Sequence, residues 1–340
     1  MIDWQVASRT AARFGSGPRV ESAEAADVVA GLHAAAEAAA DPVSEFTGLE
    51  ASHDSAPVLV VDRQRWVEAN FASFEHILDP LFDRLSSEGK ASGGVSRAIG
   101  ERVNGAELGF VMGFMSDKVL GQFDPFAGRL MLVAPNVVQI GRQLGVDEHD
   151  FRMWVCLHEE THRLQFTSVP WMRQHLQSLI GEFIDATQID ASALSRLLED
   201  GLRELGRIVR SEPGASFATL FQNEQQRTVV DKMTGMMSLL EGHADVVMDG
   251  VGPQVVPTVK QIRKKFEKRR DSAQGVAKIM RKVLGLDAKM RQYRDGAAFV
   301  RTVTERVGRD GFDAVWASPD NLPTTAEITD PAQWIVRVLD

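Results

Sequence analysis

Two histidines one helical turn apart constrain the fold of this chain more than any other feature. They lie in the run His158-Glu159-Glu160-Thr161-His162, of the form H-E-x-x-H. Residues i and i+4 share a helix face, so both imidazoles can reach one metal ion while Glu159 sits beside it. The flanking residues predict a helix over about 148–166. Asp147 is an N-cap candidate, and Glu148 and Asp150 supply acids to the first turn. Phe151, Trp154 and Val155 then lead in steps of three and four to His158 and His162. The histidines therefore continue a stripe expected to be buried. Buried imidazoles need partners, and a shared metal satisfies two facing rings at once.

A catalytic zinc usually takes three protein ligands and keeps its fourth position for water. The extended metzincin pattern would place glycine at 165 and histidine at 168, whereas the chain has Gln165 and Ser168. The third ligand must therefore come from farther along. A long helical segment, expected from about Asn223 to Asp249 and closed by Gly250 and Pro253, carries Glu241-Gly242-His243-Ala244-Asp245. Glu241 and Asp245 share one face and His243 points away from both. Two ligand sets remain open. In the preferred one, Glu241 binds the metal and Asp245 accepts a ring N–H from His158 or His162; in the other, His243 completes a three-histidine site.

Such a site implies a mechanism. Zinc lowers the pKa of a bound water, and Glu159, adjacent but not ligating, is placed to take its proton as general base and return it to a leaving amine. Glu160 turns away and is expected to be solvated or salt-bridged. The oxyanion calls for a further donor. Tyr293, the one tyrosine of the chain, is a candidate, His243 is its rival, and Lys289 would share the helical face of Tyr293.

The remaining sequence reads as mainly helical. An Ala-rich helical stretch over 4–40 gives way to a looser region around Asp41-Pro42, and a short Val58 to Val61 run leads into a helix carrying Trp66, Phe71, Phe74, Ile77, Leu78 and Leu81. Gly105, Gly109 and Gly113 recur every four residues, a spacing that permits close helix packing. Residues 117–134 look extended, with Asp124-Pro125-Phe126-Ala127-Gly128 as the turn of a hairpin. An edge strand just before the H-E-x-x-H helix would let a substrate backbone pair with it and lie across the metal. A short helix from Pro135-Asn136 to Gly145 follows, and further helices are expected over 172–185, 190–210 and 257–284. These elements predict an α+β, predominantly helical fold with a small β-sheet or hairpin. The whole span 1–340 forms either one large domain or two fused lobes, about 1–170 and 171–340.

A net charge of −9 argues against a dedicated nucleic-acid binder. The basic run Lys260, Arg263, Lys264, Lys265, Lys268, Arg269 and Arg270 is expected to be a solvated helix face, since Phe266 is its main aromatic neighbour. His33, His53, His76, His149 and His175 lack motif partners. Cys156 is the one cysteine, so no intramolecular disulfide can form. With no signal-peptide pattern at Met1-Ile2-Asp3-Trp4-Gln5 and no long apolar run, the expected location is cytoplasmic and no membrane partner is expected.

The motifs together resemble the zincins, in the gluzincin arrangement of H-E-x-x-H followed by E-x-x-x-D. More closely, the chain resembles a family of mostly helical zincin-like proteins labelled zinc-dependent metalloproteases or deazaflavin-cofactor-biosynthesis-associated proteins. The likeness is carried by Val119-Leu120-Gly121-Gln122-Phe123-Asp124-Pro125, by His158 to Gln165, by Glu241 to Asp245 and by Arg291-Gln292-Tyr293-Arg294-Asp295-Gly296. It spans most of the chain. One departure is the interval of 79 residues from His162 to Glu241, far longer than in compact gluzincins. The expected function is a zinc-dependent metallopeptidase acting on a peptide or protein. The alternatives are a non-catalytic metal-stabilised interaction protein and a zinc hydrolase of a non-peptide amide.

Overall fold

The extended segments Val58–Val61 and Arg129–Val133 are nearly continuous apolar runs, and strands of that kind need helices packed on both faces of their sheet. The computed structural model describes residues 2–14, 17–50, 56–87, 94–186, 224–271 and 286–340, with side chains at 78–104 and 270–294 outside that description. Strand β1 (Val58–Val61) pairs in parallel with β3 (Arg129–Val133), and β3 pairs antiparallel with β2 (Gly121–Asp124), giving the order β1-β3-β2. The β2–β3 hairpin is the expected one. Its turn is closed by Asp124, whose carboxylate accepts the N–H groups of Phe126 and Ala127.

Leu130 and Leu132 of β3 belong to one buried cluster and Met131 and Val133 to another, as a period of two requires. On the Met131 side lie α1 (Trp4–Ala11), α3 (Arg63–Ser87) and α4 (Gly94–Ser116). Helices α1 and α4 meet along the glycine row: a Cβ at Gly105 or Gly109 would fall 2.4 or 2.2 Å from a main-chain oxygen of α1 or its cap. On the Leu130 side lie α2 (Ser22–Thr47) and α6 (Glu148–Thr167), which α5 (Ala134–Leu144) precedes. Helix α6 is buried on nearly all sides, from Phe151 to Gln165, the mark of a central helix rather than a surface one. Beyond α6 lie α7 (Met172–Ala186), α8 (Glu224–Val255), α9 (Val259–Asp271) and α10 (Leu286–Asp313). A last cluster, including Leu239, Phe299, Val303, Trp316 and Trp334, joins α7, α8 and α10 to α11 (Thr325–Thr329) and α12 (Pro331–Leu339).

Three differences from expectation share one cause. Helix α2 runs through Pro42 to Thr47, because Val43 and Thr47 carry its buried stripe onward past the proline. Helix α8 runs past Gly250 and Pro253 to Val255, with Val251 still in the core. Gly250 is there for space: a Cβ would lie 2.1 Å from the Phe46 ring. Val58 to Val61 forms a strand of its own. In each case packing outweighs the local signal of a breaker or a short run. The expected 190–210 helix, and the 257–284 helix beyond Asp271, lie outside the described residues. Among the described residues no helix is long and apolar enough to cross a membrane.

Candidate metal centre

Helix α6 is anchored at its start by Asp147, which accepts the Asp150 N–H at 2.9 Å, and by Asp150, which accepts the N–H and hydroxyl of Thr258. Two turns later it presents His158 and His162 on one face. Their Nε2 atoms are 3.2 Å apart. Glu241 approaches from α8, with its carboxylate oxygens 3.6 Å from His158 Nε2 and 3.8 Å from His162 Nε2. Donors held at ~2.0–2.1 Å around one tetrahedral ion stand ~3.3–3.4 Å from one another, so this spacing fits a single ion. Two imidazole nitrogens and a carboxylate oxygen are also a donor set suited to zinc and several other first-row metals. Among the described residues, these three are the group of His, Cys and acidic side chains able to hold a metal.

One of the three donors sits beside a close main-chain approach. Next to Glu241, Gly242 of α8 crosses Gly296 of α10 so tightly that a Cβ on Gly242 would lie 2.1 Å from the Gly296 carbonyl carbon. The crossing gives a physical reason for the glycines in two of the stretches singled out in the sequence.

Glu159 is 5% exposed and points at the edge strand. Its carboxylate accepts the Phe123 N–H, and a Cβ at Gly121 would sit 2.5 Å from its Cγ and 2.8 Å from its Oε1. Burial first, and the neighbouring Glu241 second, push its pKa up to about 8, against the pull of the Phe123 N–H. In the hairpin, the Val133 N–H bonds to the Leu120 carbonyl and Gln122 pairs with Met131. Alternate residues of an antiparallel strand bond to the partner, so Gly121 and Phe123 turn their main-chain groups to the open edge, beside Glu159. Burial, with His162 alongside, pushes the His158 pKa down to about 4, opposed by Glu241.

The other expected residues fall elsewhere. Asp245 lies with its carboxylate 3.5 Å from the Arg263 guanidinium, and Arg263 also meets Asp249 at 2.6 Å. Among the described residues no hydrogen bond joins Asp245 to either imidazole; the acceptor opposite His162 Nδ1 is Gln165 Oε1, at 2.9 Å. His243 is absent from the donor group and stands behind it, packed on Phe312 and Trp316, with Nδ1 3.0 Å from Gln165 Nε2. Burial holds its pKa down at about 3, so it is neutral. Helical spacing had turned His243 away from Glu241, and the tertiary fold uses that direction. The side chains of Tyr293 and Lys289 lie outside the described residues. Glu160 is salt-bridged to Arg163, at 2.7 and 2.5 Å, but the pair is buried rather than solvated. Much of the basic run is also engaged within the chain, since Arg263 meets the two aspartates, Lys265 bonds to the Gly145 carbonyl and Arg269 to Gln143.

Sequence reasoning missed Gln165 as a partner of the site, although its place three residues after His162 puts it on the same helix face.

Comparison with known proteins agrees with this geometry. A family model described as zincin-like metallopeptidase matches residues 2–335. A crystal structure of a candidate hydrolase with a novel fold from Chloroflexus aurantiacus superposes with a TM-score of 0.72 at 27% identity, over 99% of this chain and 98% of that one. No curated protein is significantly similar to the chain. The family and the structural neighbour together support a hydrolase, and the family implies a metal, usually zinc.

Proposed function

The chain belongs to the zincin-like metallopeptidase family, and from that premise we propose that it hydrolyses peptide bonds with zinc held by His158, His162 and Glu241 and with Glu159 as general base. One observation carries the reading: Glu159, buried and free of the ligand set, sits between the three converging donors and the open edge of β2. A zinc ion bound there supplies Lewis acidity, which polarises a carbonyl and acidifies water.

The residues supply the rest. A peptide laid along β2 would meet the outward main-chain groups of Gly121 and the outward carbonyl of Phe123, pairing as an added strand and bringing its scissile carbonyl beside the donors. Glu159 takes the proton of the attacking water and passes it to the leaving nitrogen. The Phe123 N–H fixes the direction of its carboxylate, and burial raises that carboxylate's affinity for a proton. His158 and His162 would hold the ion through their Nε2 lone pairs.

The test measures zinc content and cleavage of a diverse peptide library for the wild type, Glu159→Gln and Glu241→Ala. Wild type should bind one zinc and cleave, Glu159→Gln should keep the zinc and lose turnover, and Glu241→Ala should lose both. Stoichiometric zinc without cleavage across the library would refute the peptidase reading, and full zinc in Glu241→Ala would refute the ligand set.

A further inference from the structure

Gln165 is fully buried, with 0% exposure, and its amide makes contacts on both ends. Its Nε2 lies 3.0 Å from the Leu240 carbonyl oxygen and 3.0 Å from His243 Nδ1, while its Oε1 lies 2.9 Å from His162 Nδ1. The polarity of this chain follows from one fixed group. A main-chain carbonyl can only accept, so the end of the amide that meets Leu240 must be the nitrogen. The oxygen then faces His162, and an amide oxygen can only accept, so His162 must carry its proton on Nδ1. In the neutral ring its Nε2, the atom that faces His158 and Glu241, is then left with a bare lone pair. The second amide proton goes to His243 Nδ1, which accepts and puts the proton of that ring on Nε2. No water competes for a residue with no exposed surface.

We propose that Gln165 and His243 form a hydrogen-bonded lock, anchored on the Leu240 carbonyl, that holds His162 in the one tautomer and orientation able to bind a metal. Both are positioning residues, and the proposal rests on the reading of His158, His162 and Glu241 as ligands. The partners that orient a metal-binding histidine are commonly carboxylates, which also raise its basicity. Here the partner is a neutral amide. It selects the tautomer without adding negative charge behind the ring. The lock also binds the two ligand-bearing helices to each other: α6 contributes His162 and Gln165, and α8 contributes Leu240, Glu241 and His243 within four consecutive residues. Phe312 and Trp316, with ring centroids 5.6 and 5.2 Å from that of His243, hold the far end in place.

The experiment has two readouts, neither of which is turnover. In the metal-free wild type, two-bond proton–nitrogen correlation spectra of the histidine side chains should show His162 with its proton on Nδ1. Zinc affinity, measured by competition with a chromophoric chelator, should fall by roughly 10- to 100-fold in Gln165→Met, which keeps the shape of the side chain and removes the amide. His243→Phe keeps the ring packing and removes one acceptor, so it should weaken zinc in the same direction by a smaller factor. A wild-type His162 protonated on Nε2 overturns the lock, and so does zinc affinity in Gln165→Met within about twofold of wild type. Should the wild type take up no zinc at all, the ligand reading fails and the tautomer spectrum alone decides the lock. That spectrum needs no variant, so a Gln165→Met protein that folds poorly does not shelter the proposal.

Discussion

Replacing Gly242 by alanine should destabilise this protein, although alanine is the better helix former. In an exposed helix interior the exchange gains about 1 kcal/mol. At Gly242 the new Cβ would lie 2.1 Å from the Gly296 carbonyl carbon and 2.4 Å from the Ala297 nitrogen. Both obstacles are main chain, with no rotamer to change, so α8 and α10 must part by about 1.4 Å to restore ordinary carbon contact. A gap of ~0.5–1 Å already forfeits about a quarter of a dispersion contact. Leu239, Leu240, Phe299 and Val300 are packed in the same cluster. With on the order of 40–60 contacts each, about a third of them across the interface, four such side chains lose about 2–3 kcal/mol, and overpacking strain adds about 1–3 kcal/mol. Subtracting the helix gain leaves a net loss of about 2–5 kcal/mol. Gly181 in α7 is the control, because a Cβ there meets nothing within 4 Å; Gly181→Ala should be neutral or stabilising by up to about 1 kcal/mol. The assay is urea unfolding followed by tryptophan fluorescence, to which Trp316 and Trp334 in that cluster contribute. A midpoint for Gly242→Ala equal to or above that of Gly181→Ala would refute the reasoning.

Two further outcomes follow from the surroundings of Gly121 and of Glu327. Gly121→Ala should displace Glu159, whose Cγ lies 2.5 Å from the new Cβ, and a misplacement of ~1 Å at a reacting group lowers turnover on the order of 100-fold; zinc content should stay at the wild-type level, and loss of zinc with loss of activity would count against the assignment. Glu327 is 6% exposed; burial raises its pKa, but hydrogen bonds from Arg337 and Thr324 outweigh that and hold the carboxyl below the ordinary value. Its contribution is therefore present above the unfolded glutamate pKa of ~4.3 and is lost as pH falls through the folded one. Glu327→Gln should lower stability by about 1–3 kcal/mol at pH 7, with the gap to wild type closing on acidification; thermal midpoints of the pair that stay equally far apart from pH 7 down to the acid limit of folding would contradict this.

What could be read from the chain divides by the range of the interaction. The shared face of His158 and His162 is a consequence of helix geometry within five residues, and the Asp124 turn of the hairpin is closed by bonds from the N–H groups two and three residues on. Glu241 could be singled out because it shares an α8 face with Asp245. Which groups meet across elements was not legible. Asp245 and Gln165 illustrate this, since each is a plausible partner for an imidazole by type. The fold turns Asp245 to Arg263 on α9 and buries Gln165 between α6 and α8. Val58–Val61 shows the same limit, because only the neighbouring β3 makes a strand of four β-prone residues. The glycines carry the most information of this kind and disclose it least. Nothing in the local sequence separates Gly181, with open space around it, from Gly242, with none.

That contrast bears on how the centre is held. Glu159 and Glu241 come from different helices, and beside each a glycine lets another main chain approach: β2 over Glu159 at Gly121, and α10 against α8 at Gly242. Main chain is a stiffer neighbour than side chain, so the Glu159 side chain is placed by the backbone of β2 and the turn of α8 that carries Glu241 by the backbone of α10. The two contacts are separate in space and in consequence. Crowding Gly121 moves Glu159, the group proposed to handle the proton, and leaves the donors where they are. Crowding Gly242 shifts α8 itself, and with it Glu241, Leu240 and His243, so the proposed ligand and the proposed lock on His162 are disturbed together. Stability and metal affinity should therefore fall jointly at Gly242, whereas turnover alone falls at Gly121. A chain in which both substitutions gave the same phenotype would not be built in this way.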